Sequence, residues 1–416
     1  MRALRAPPIR LTLEPLQVDI DFHGCADAAA GFSSVLRGWG QRPSTRSTTA
    51  PADVRIVRSG NHYRWHGRRL TKPLVWRQYA PTTTMGVICD LHDVLFDWFL
   101  GGNRGHLCLH AAAIEVGSEL VLIPSVGKAG KSTLSVVMAQ LGHRVFADDV
   151  LALEPGCDRG MAFGVVPRLR RPLPRGIGQS YRRFLGSRSG PANENWIYAN
   201  LRAGEIAPFG ETSPIKAIVF LDRGSRGPAR LEPVDSAYVM QELIQQNFAD
   251  GVAPTAAFDR LLALASSADC RRLVFSDTNE AARLLSTTYS GSRKRRASCG
   301  ADVSTAPGVE RRLGDAVFLV SQRQDAVLGL SPSAAAIWQQ LSQGRSRQMI
   351  EALFRSAFPE VAIDRIRADI DHVLGLLRRH GLIRPNGSMV AVGRRRKSTS
   401  QRSLSPRAPR QSSARR

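Results

Sequence analysis

The stretch that most constrains the fold is an apolar run that breaks into a glycine-bearing turn and then into a helical pattern, residues 120–133, Leu-Val-Leu-Ile-Pro-Ser-Val-Gly-Lys-Ala-Gly-Lys-Ser-Thr. Its end, Gly130 to Thr133, matches the second half of the phosphate-binding pattern G-x-x-x-x-G-K-[ST]. Small residues there let backbone N–H groups approach phosphate oxygens, and the helix N-terminus favours their negative charge. A Lys then reaches the outer phosphates and a hydroxyl binds Mg²⁺. The pattern predicts an α/β domain with a nucleotide site.

One position departs from this pattern. Ser125 stands where the first Gly belongs, a position chosen for backbone freedom that Ser has less of, although Gly127 restores some of it. An ordinary glycine turn between a strand and a helix is the alternative, because so short a pattern also matches by chance. We predict that ATP contacts the whole turn: Ser125, Val126, Gly127, Lys128, Ala129, Gly130, Lys131, Ser132 and Thr133.

Two adjacent acids follow the next strand-like segment. The helical pattern from Lys131 ends near Gly142, a natural C-cap residue, and residues 144–147 then lead as a short strand into Asp148 and Asp149. Carboxylates at a strand end, one helix after such a turn, are placed to bind Mg²⁺. Adjacent like charges are also costly without a cation nearby. A solvated turn is the alternative interpretation.

Three of these features together carry a resemblance: His110 in the strand-like segment 107–113, the turn at 124–133 and the pair Asp148-Asp149. They resemble the HPr kinase/phosphorylase family, and more closely its smaller HPr-kinase-related members. The resemblance covers about residues 105–225. In that family the turn has Gly where this chain has Ser125 and Lys128.

The resemblance implies roles for individual residues. His110 would lie beside the phosphate-binding turn, and Asp148 would act as a base towards a protein serine hydroxyl. Ser132 and Asp149 would lie near Mg²⁺. The related kinases assemble as hexamers, so the resemblance also implies a homo-oligomer, although no residue pattern here counts subunits.

Three arginines in the segment 167–172 follow the strand-like residues 161–166. Guanidinium groups beside a phosphate site clamp a transferring phosphoryl group or recognise an incoming peptide. An exposed basic loop is the equal alternative. Arg168 follows the strand most directly, and we therefore add it to His110 and Asp148 as the predicted catalytic set. The hydrophilic, Gly-rich segment 175–211 is predicted to be a mobile active-site loop.

Residues 310–386 form a second predicted domain. Two apolar segments, 316–321 and 326–330, indicate a hairpin, and three helical patterns follow from the Ser331-Pro332 cap. A hairpin with three short helices is a winged-helix-like arrangement, of which many members bind DNA. The third helix, however, carries acids on its polar side, which disfavours phosphate: Asp364, Asp369 and Asp371.

This second domain resembles the PqqD-like peptide chaperones over about residues 311–386. The matching residues are the hairpin, the segment 330–338 with Gly344, and the closing segment 376–383. In that family a leader peptide adds a strand to the hairpin edge and rests against the third helix. The resemblance thus implies a peptide-binding groove lined by Val327, Leu328, Leu330, Ile366 and Ile370.

Composition restricts the class of protein further. The chain has 416 residues and 43% hydrophobic content, enough for two or three domains with buried cores. Much of its net charge of +23 lies in residues 293–296 and after Gly393, where no aromatic residue is available to stack on bases. Six scattered cysteines without a C-x-x-C pair indicate a reduced compartment. No signal peptide or membrane-spanning run is evident, so we expect a cytoplasmic protein without membrane contact.

The sequence as a whole predicts an α/β fold: a P-loop, HPr-kinase-like domain with a mixed sheet, followed by a small winged-helix-like α+β domain. The predicted N-terminal α+β region, residues 1–104, packs on the kinase core, residues 105–288. A linker of residues 289–309 leads to the peptide-binding domain, residues 310–386, and a disordered basic tail follows at 387–416.

The predicted function is an ATP- and Mg²⁺-dependent kinase that phosphorylates a hydroxyl, with Ser favoured, of a precursor peptide or small protein. Three alternatives stay open. They are an inactive nucleotide-binding peptide chaperone, the reverse dephosphorylating reaction, and a nucleic-acid-binding ATPase supported only by net charge.

Overall fold

The computed structural model describes residues 7–39, 41, 51–67, 83–124, 129–155, 159–174, 177–224, 227–248, 251–291, 310–321 and 325–383. The predicted tail 387–416 and most of the predicted linker, residues 292–309, lie outside these ranges. The described residues up to Ala335 form one compact unit, and those from Ala336 onward form another. The unit up to Ala335 combines strands with helices, which confirms the predicted mixed α/β class, whereas the described elements from Ala336 onward are helices.

In this part of the chain the strands are β1 Ile9–Leu13, β2 Val18–His23, β3 Val54–Ser59, β4 His62–Gly67, β5 Leu107–Leu109, β6 Ala111–Val116, β7 Glu119–Pro124, β8 Arg144–Ala147, β9 Leu151–Leu153, β10 Arg159–Met161, β11 Arg168–Arg170, β12 Ser189–Ala192, β13 Trp196–Ala199, β14 Thr212–Arg223, β15 Arg230–Pro233, β16 Asp269–Phe275, β17 Glu310–Leu313, β18 Ala316–Ser321 and β19 Ala326–Leu330. The α-helices are α1 Ala26–Val35, α2 Thr84–Gly102, α3 Lys131–Gln140, α4 Gln179–Gly186, α5 Ser236–Gln246, α6 Pro254–Ser267, α7 Thr278–Tyr289, α8 Pro332–Ser342, α9 Arg347–Ala357 and α10 Ile363–Arg379.

The N-terminal sheet has the strand order β1-β2-β3-β4, with β2 and β3 parallel. The alternating segment 10–22 predicts strand structure at a sheet edge, interrupted at Pro15, and the structure has a strand on each side of Pro15 with β1 at the edge of the sheet. Between the two strands the chain turns through a short 3₁₀ helix, Glu14–Leu16, and Gln17 then adopts a left-handed φ of 52°. The two halves consequently pair with each other as antiparallel strands β1 and β2.

A nine-stranded mixed sheet forms the centre of the first unit, with the path β5-β9-β10-β14-β7-β6-β8 and with β16 and β15 added beside β14. The long strand β14 is parallel to both β7 and β16. Alternate residues of β7 belong to opposite cores. Val121 and Ile123 share a cluster with α3, whereas Leu120 and Leu122 share one with α5 and α6. This double burial explains the uninterrupted apolar run in the sequence.

His110 interrupts what the sequence indicated as one strand, residues 107–113. The segment before it, β5, pairs with β9, whereas the segment after it, β6, pairs with β7 and β8. At the break, the His110 N–H donates to the backbone oxygen of Gln246 at 2.8 Å, and the Ala111 N–H donates to that of Asp149 at 3.1 Å. The change of partners places His110 beside the end of β8.

Much of the segment 175–211, predicted to be a mobile loop, has regular secondary structure in its described residues 177–199. It contains α4 and two strands of a small antiparallel sheet with the order β11-β13-β12. Residue 168 pairs with Tyr198, and Arg170 pairs with Trp196. These strands have four residues each, too few to show a strand pattern, and β11, the pairing partner of β13, is distant in sequence. This small sheet fixes the direction in which the arginines of β11 leave the backbone.

The hairpin β18–β19 is present, and β17, which the sequence did not predict, extends it to three strands. In the first unit this sheet contacts α6, where the rings of Phe318 and Phe258 lie 5.2 Å apart. The cap before α8 is also as predicted, because Ser331 Oγ accepts from the Ala334 N–H at 3.3 Å. In the second unit, α9 and α10 pack against each other, and the predicted apolar face of α10 is buried.

Candidate active site

The candidate site begins at the strand-to-helix connection between β7 and α3. Four of the nine residues predicted to contact the nucleotide, Ser125 to Lys128, lie outside the described residues. Gly130 is the N-cap residue of α3 and has a φ of 103°, a conformation that favours glycine. Lys131 follows as the first helical residue and is buried, as expected where a strand directs a helix N-terminus towards a ligand. Burial lowers the pKa of Lys131, while the charges of Asp148 and Asp149 act to raise it.

Asp148, at the end of β8, is 7% exposed. Its Oδ2 accepts from the backbone N–H of Arg168 at 3.2 Å. Its Oδ1 is buried without a hydrogen-bond partner among the described residues. Burial and the charge of Asp149 raise the pKa of Asp148 to about 6, and the hydroxyls of Ser132 and Ser135 only partly offset this. A buried carboxylate with one unused oxygen and a raised pKa can take up a proton near neutral pH.

Asp149 has different surroundings. Its Oδ1 lies 2.9 Å from His110 Nε2, and its Oδ2 accepts from Arg168 Nη2 at 3.3 Å. Burial acts to raise the pKa of Asp149, but the hydrogen bond from His110 and the charge of Arg168 outweigh it and hold that pKa far below its usual range. The neighbouring carboxylates therefore differ sharply in proton affinity, the arrangement by which acid and base groups are separated in active sites.

His110 connects this acid to the helix N-terminus. Its Nε2 also lies 3.4 Å from Lys131 Nζ. An Nε2 that carries a hydrogen donates to Asp149, whereas an Nε2 without one accepts from Lys131, so the tautomer of the His110 ring decides which contact is a hydrogen bond. The structure thus brings together four predicted site residues, namely His110, Lys131, Asp148 and Asp149.

Arg168 is the fifth predicted residue at this place. Its side chain is 17% exposed, and its guanidinium spans two acids, with Nη1 3.3 Å from Asp93 and Nη2 3.3 Å from Asp149. The guanidinium also lies over the ring of Trp196, 5.2 Å from the centroid. The alternative of an exposed basic loop therefore describes Arg170 and Arg171, which are exposed, but not Arg168.

Behind Arg168 lies a buried histidine that the sequence analysis did not include in the site. His92 is 2% exposed, and its Nδ1 lies 2.9 Å from Tyr198 Oη. Burial and the charge of Arg168 lower the pKa of His92 to about 3. A signal was available, because His92 stands four residues after Ile88 and four before Phe96 on the buried face of α2. Asp93 and Trp196 gave no such signal, since their roles depend on β11.

The oxygen donors here fit Mg²⁺ better than a transition metal. In the described part of the chain no group of three or more His, Cys, Asp and Glu side chains is gathered as a metal site. Magnesium ordinarily takes one or two protein carboxylates together with phosphate oxygens and water. The hydroxyl of Ser132 and the carboxylate of Asp149 are suitable donors, because each Asp149 oxygen contacts His110 or Arg168 and keeps a second lone pair.

The predicted peptide-binding residues lie on two elements. Val327, Leu328 and Leu330 are partly exposed on β19, the outer strand of its sheet. Ile366 and Ile370 are buried on α10. The first three belong to one compact unit and the last two to the other. The groove between them stays a prediction.

Comparison with known proteins gives two findings. Residues 316–383 match the protein-family model described as Coenzyme PQQ synthesis protein D (PqqD), which confirms the predicted PqqD-like domain. The HPr(Ser) kinase/phosphatase from Coxiella burnetii is a similar solved structure at 16% identity, with 43% of this chain and 91% of that chain covered and a TM-score of 0.22. No curated protein matches the sequence.

A membrane-crossing helix was also sought in the described ranges. No helix there is sufficiently long and apolar to cross a bilayer.

Proposed function

We propose that this protein is an ATP-dependent kinase that phosphorylates a hydroxyl, with Ser favoured, of a peptide or small protein. The observation that supports this most directly is the position of Asp148. It is a buried carboxylate with an unpartnered Oδ1, at a strand end beside the first turn of a helix whose N-terminus carries Lys131. A hydroxyl nucleophile needs such a base, and a transferring phosphoryl group needs such a helix end.

In this proposal, α3 binds the nucleotide and Asp148 acts as the base. The amides at Gly130 and the first turn of α3, with Lys131, would hold the triphosphate. Asp148 would take the hydroxyl proton as the acceptor oxygen bonds to the γ-phosphorus and the bond to the bridging oxygen of ADP breaks. A pKa of about 6 leaves Asp148 ionised at pH 7 yet basic enough to accept that proton.

Asp149 and Ser132 are the residues we assign to Mg²⁺, which leaves the unpartnered oxygen of Asp148 for the hydroxyl proton. When bound, Mg²⁺ would neutralise charge on the phosphate oxygens. His110 and Arg168 hold Asp149 ionised, since each contributes a contact to one of its oxygens.

Recruitment of the acceptor is assigned to the PqqD-like domain. Residues 316–383 match a family named for coenzyme PQQ synthesis, and the predicted mode is addition of a leader-peptide strand to β19. Holding the leader at one place raises the local concentration of the acceptor hydroxyl at the other, so the site around Asp148 needs little affinity of its own.

The test is a single-turnover assay with γ-labelled ATP and peptides encoded by neighbouring genes. We expect label transfer to a hydroxyl, a fall of about 10²–10⁴-fold in Asp148→Asn and retained ATP binding in that variant. The matched control is Asp97→Asn, because Asp97 is an exposed acid of α2. ATP binding without transfer to any peptide would refute the kinase and favour the inactive nucleotide-binding chaperone. Release of phosphate from a phosphopeptide alone would favour the reverse reaction.

A further inference from the structure

A cavity lies beside Arg168. It occupies about 210 Å³ between the first turns of α2 and the turn that joins β12 to β13. Residues lining it include Met85, Cys89 and Asp93 from α2, Arg168 from β11, and Asn195 and Trp196 from the turn. Among the described residues, none from α3 lines it.

The size of this cavity restricts what it can hold. Pockets for nucleotides and other drug-sized ligands usually measure about 300–1,000 Å³. A cavity of about 210 Å³ is below that range and suits one amino-acid side chain. A group bound here would therefore be part of a larger molecule that is held elsewhere as well.

Charge at the cavity is already balanced. The guanidinium of Arg168 and the carboxylate of Asp93 form an ion pair at 3.3 Å across its wall. The other described residues of the lining supply an indole ring, a thioether, a thiol, side-chain amides and a glycine. An incoming charged side chain would lose its hydration without gaining an unpaired partner, which is unfavourable. The lining therefore favours a neutral side chain of medium or large size.

The turn that closes the cavity is held in place before any ligand binds. The side-chain oxygen of Asn193 accepts from the backbone N–H groups of Asn195 at 3.0 Å and Trp196 at 2.8 Å. The backbone oxygen of Asn195 accepts from the Arg171 N–H at 2.8 Å. A wall fixed by its own hydrogen bonds loses little entropy when a ligand is ordered against it.

We propose that this cavity is an acceptor subsite, which binds one neutral side chain of the peptide next to the phosphorylated hydroxyl. The inference rests on the proposed function, because it takes the acceptor hydroxyl to lie at Asp148. The backbone N–H of Arg168 contacts Asp148, and the Arg168 side chain forms a wall of the cavity. A peptide with its hydroxyl at Asp148 would pass along Arg168 and place a neighbouring side chain beside Trp196.

The test measures peptide binding directly. The probes are fluorescent serine-centred hexapeptides with one neighbouring position set to Gly, Leu, Tyr, Lys or Glu, and binding to the full chain is followed by anisotropy. We expect Leu or Tyr to bind at least tenfold more tightly than Gly, Lys or Glu. Asn195→Trp, which blocks the mouth, should abolish this preference. Glu194→Trp is the matched control, because Glu194 is an exposed neighbour outside the lining and should keep the preference.

A second variant obstructs the cavity from its other wall. Gly86→Leu adds a side chain in the first turn of α2 and replaces a poor helix former by a good one, so it should remove the same preference without loss of helix. Equal binding of all five peptides by the wild type, or a preference that survives in both variants, would overturn the subsite. Side-chain-selective binding without any label transfer would refute the kinase and leave the subsite intact, so the two proposals fail separately.

Discussion

His92 makes the first unit sensitive to acid, and the size of this effect follows from its burial. The imidazole is 2% exposed, and its pKa falls from 6.5 to about 3, because of burial and the charge of Arg168, with Asp149 acting in the opposite direction. Between pH 6.5 and 3 the unfolded chain binds a proton at His92 that the folded chain does not. Stability is therefore fully present above pH 6.5 and is lost as the pH falls.

The magnitude at pH 5 can be calculated from this difference. Unfolded His92 is almost fully protonated at pH 5, whereas the folded imidazole remains neutral, so the free energy of unfolding is about 2 kcal/mol lower at pH 5 than at pH 8. The value depends almost entirely on the unfolded pKa of 6.5. In His92→Phe this contribution is absent, and we expect the difference in unfolding free energy between the two pH values to shrink by about 2 kcal/mol.

The assay is urea unfolding of the full chain at pH 5 and pH 8, read by hydrogen exchange at α2, so that only the unit containing His92 is followed. The variant also loses the contact of His92 with Tyr198, which lowers stability at both pH values and cancels in the comparison. The matched control is His62→Phe, because His62 is exposed on β4. An unchanged pH dependence in His92→Phe would refute the buried neutral imidazole.

Two further outcomes follow from other contacts. Arg168→Lys should lower kcat/KM for label transfer by about tenfold or more, because an ammonium cannot span Asp93 and Asp149 as the planar guanidinium does. Steady-state kinetics against Arg170→Lys, a conservative change at an exposed neighbour, tests this, and equal losses in the two variants would contradict it. Asp277→Ala should destabilise α7 by about 1 kcal/mol, since its carboxylate accepts two N–H groups of the first turn, and faster hydrogen exchange there, reversed in Asp277→Asn, is the expected result.

Sequence patterns predicted the secondary-structure elements that are marked by a local pattern of buried residues or by a capping residue. The apolar residues 120–124 lie within β7, and Ser331 caps α8 as the Ser331-Pro332 pair indicated. The cluster of Lys131, Asp148 and Asp149 was also predictable, because a strand, a turn and a helix fix their order. What the sequence missed depends on distant pairing. Strand β17, Glu-Arg-Arg-Leu, is charged and becomes a strand only beside β18.

The same reasoning explains why the electrostatics of the acid pair were not predictable. The sequence indicated that Asp148 and Asp149 need a cation, and the chain itself supplies one through Arg168, whose backbone contacts the first acid and whose guanidinium contacts the second. Arg168 is held there because its strand pairs with β13 opposite Tyr198, and Tyr198 in turn contacts His92. The segment that looked like an irregular loop is therefore the element that positions the charge between the two acids. Without this segment, Asp149 would keep only its contact with His110, and the pKa values of Asp148 and Asp149 would move closer together.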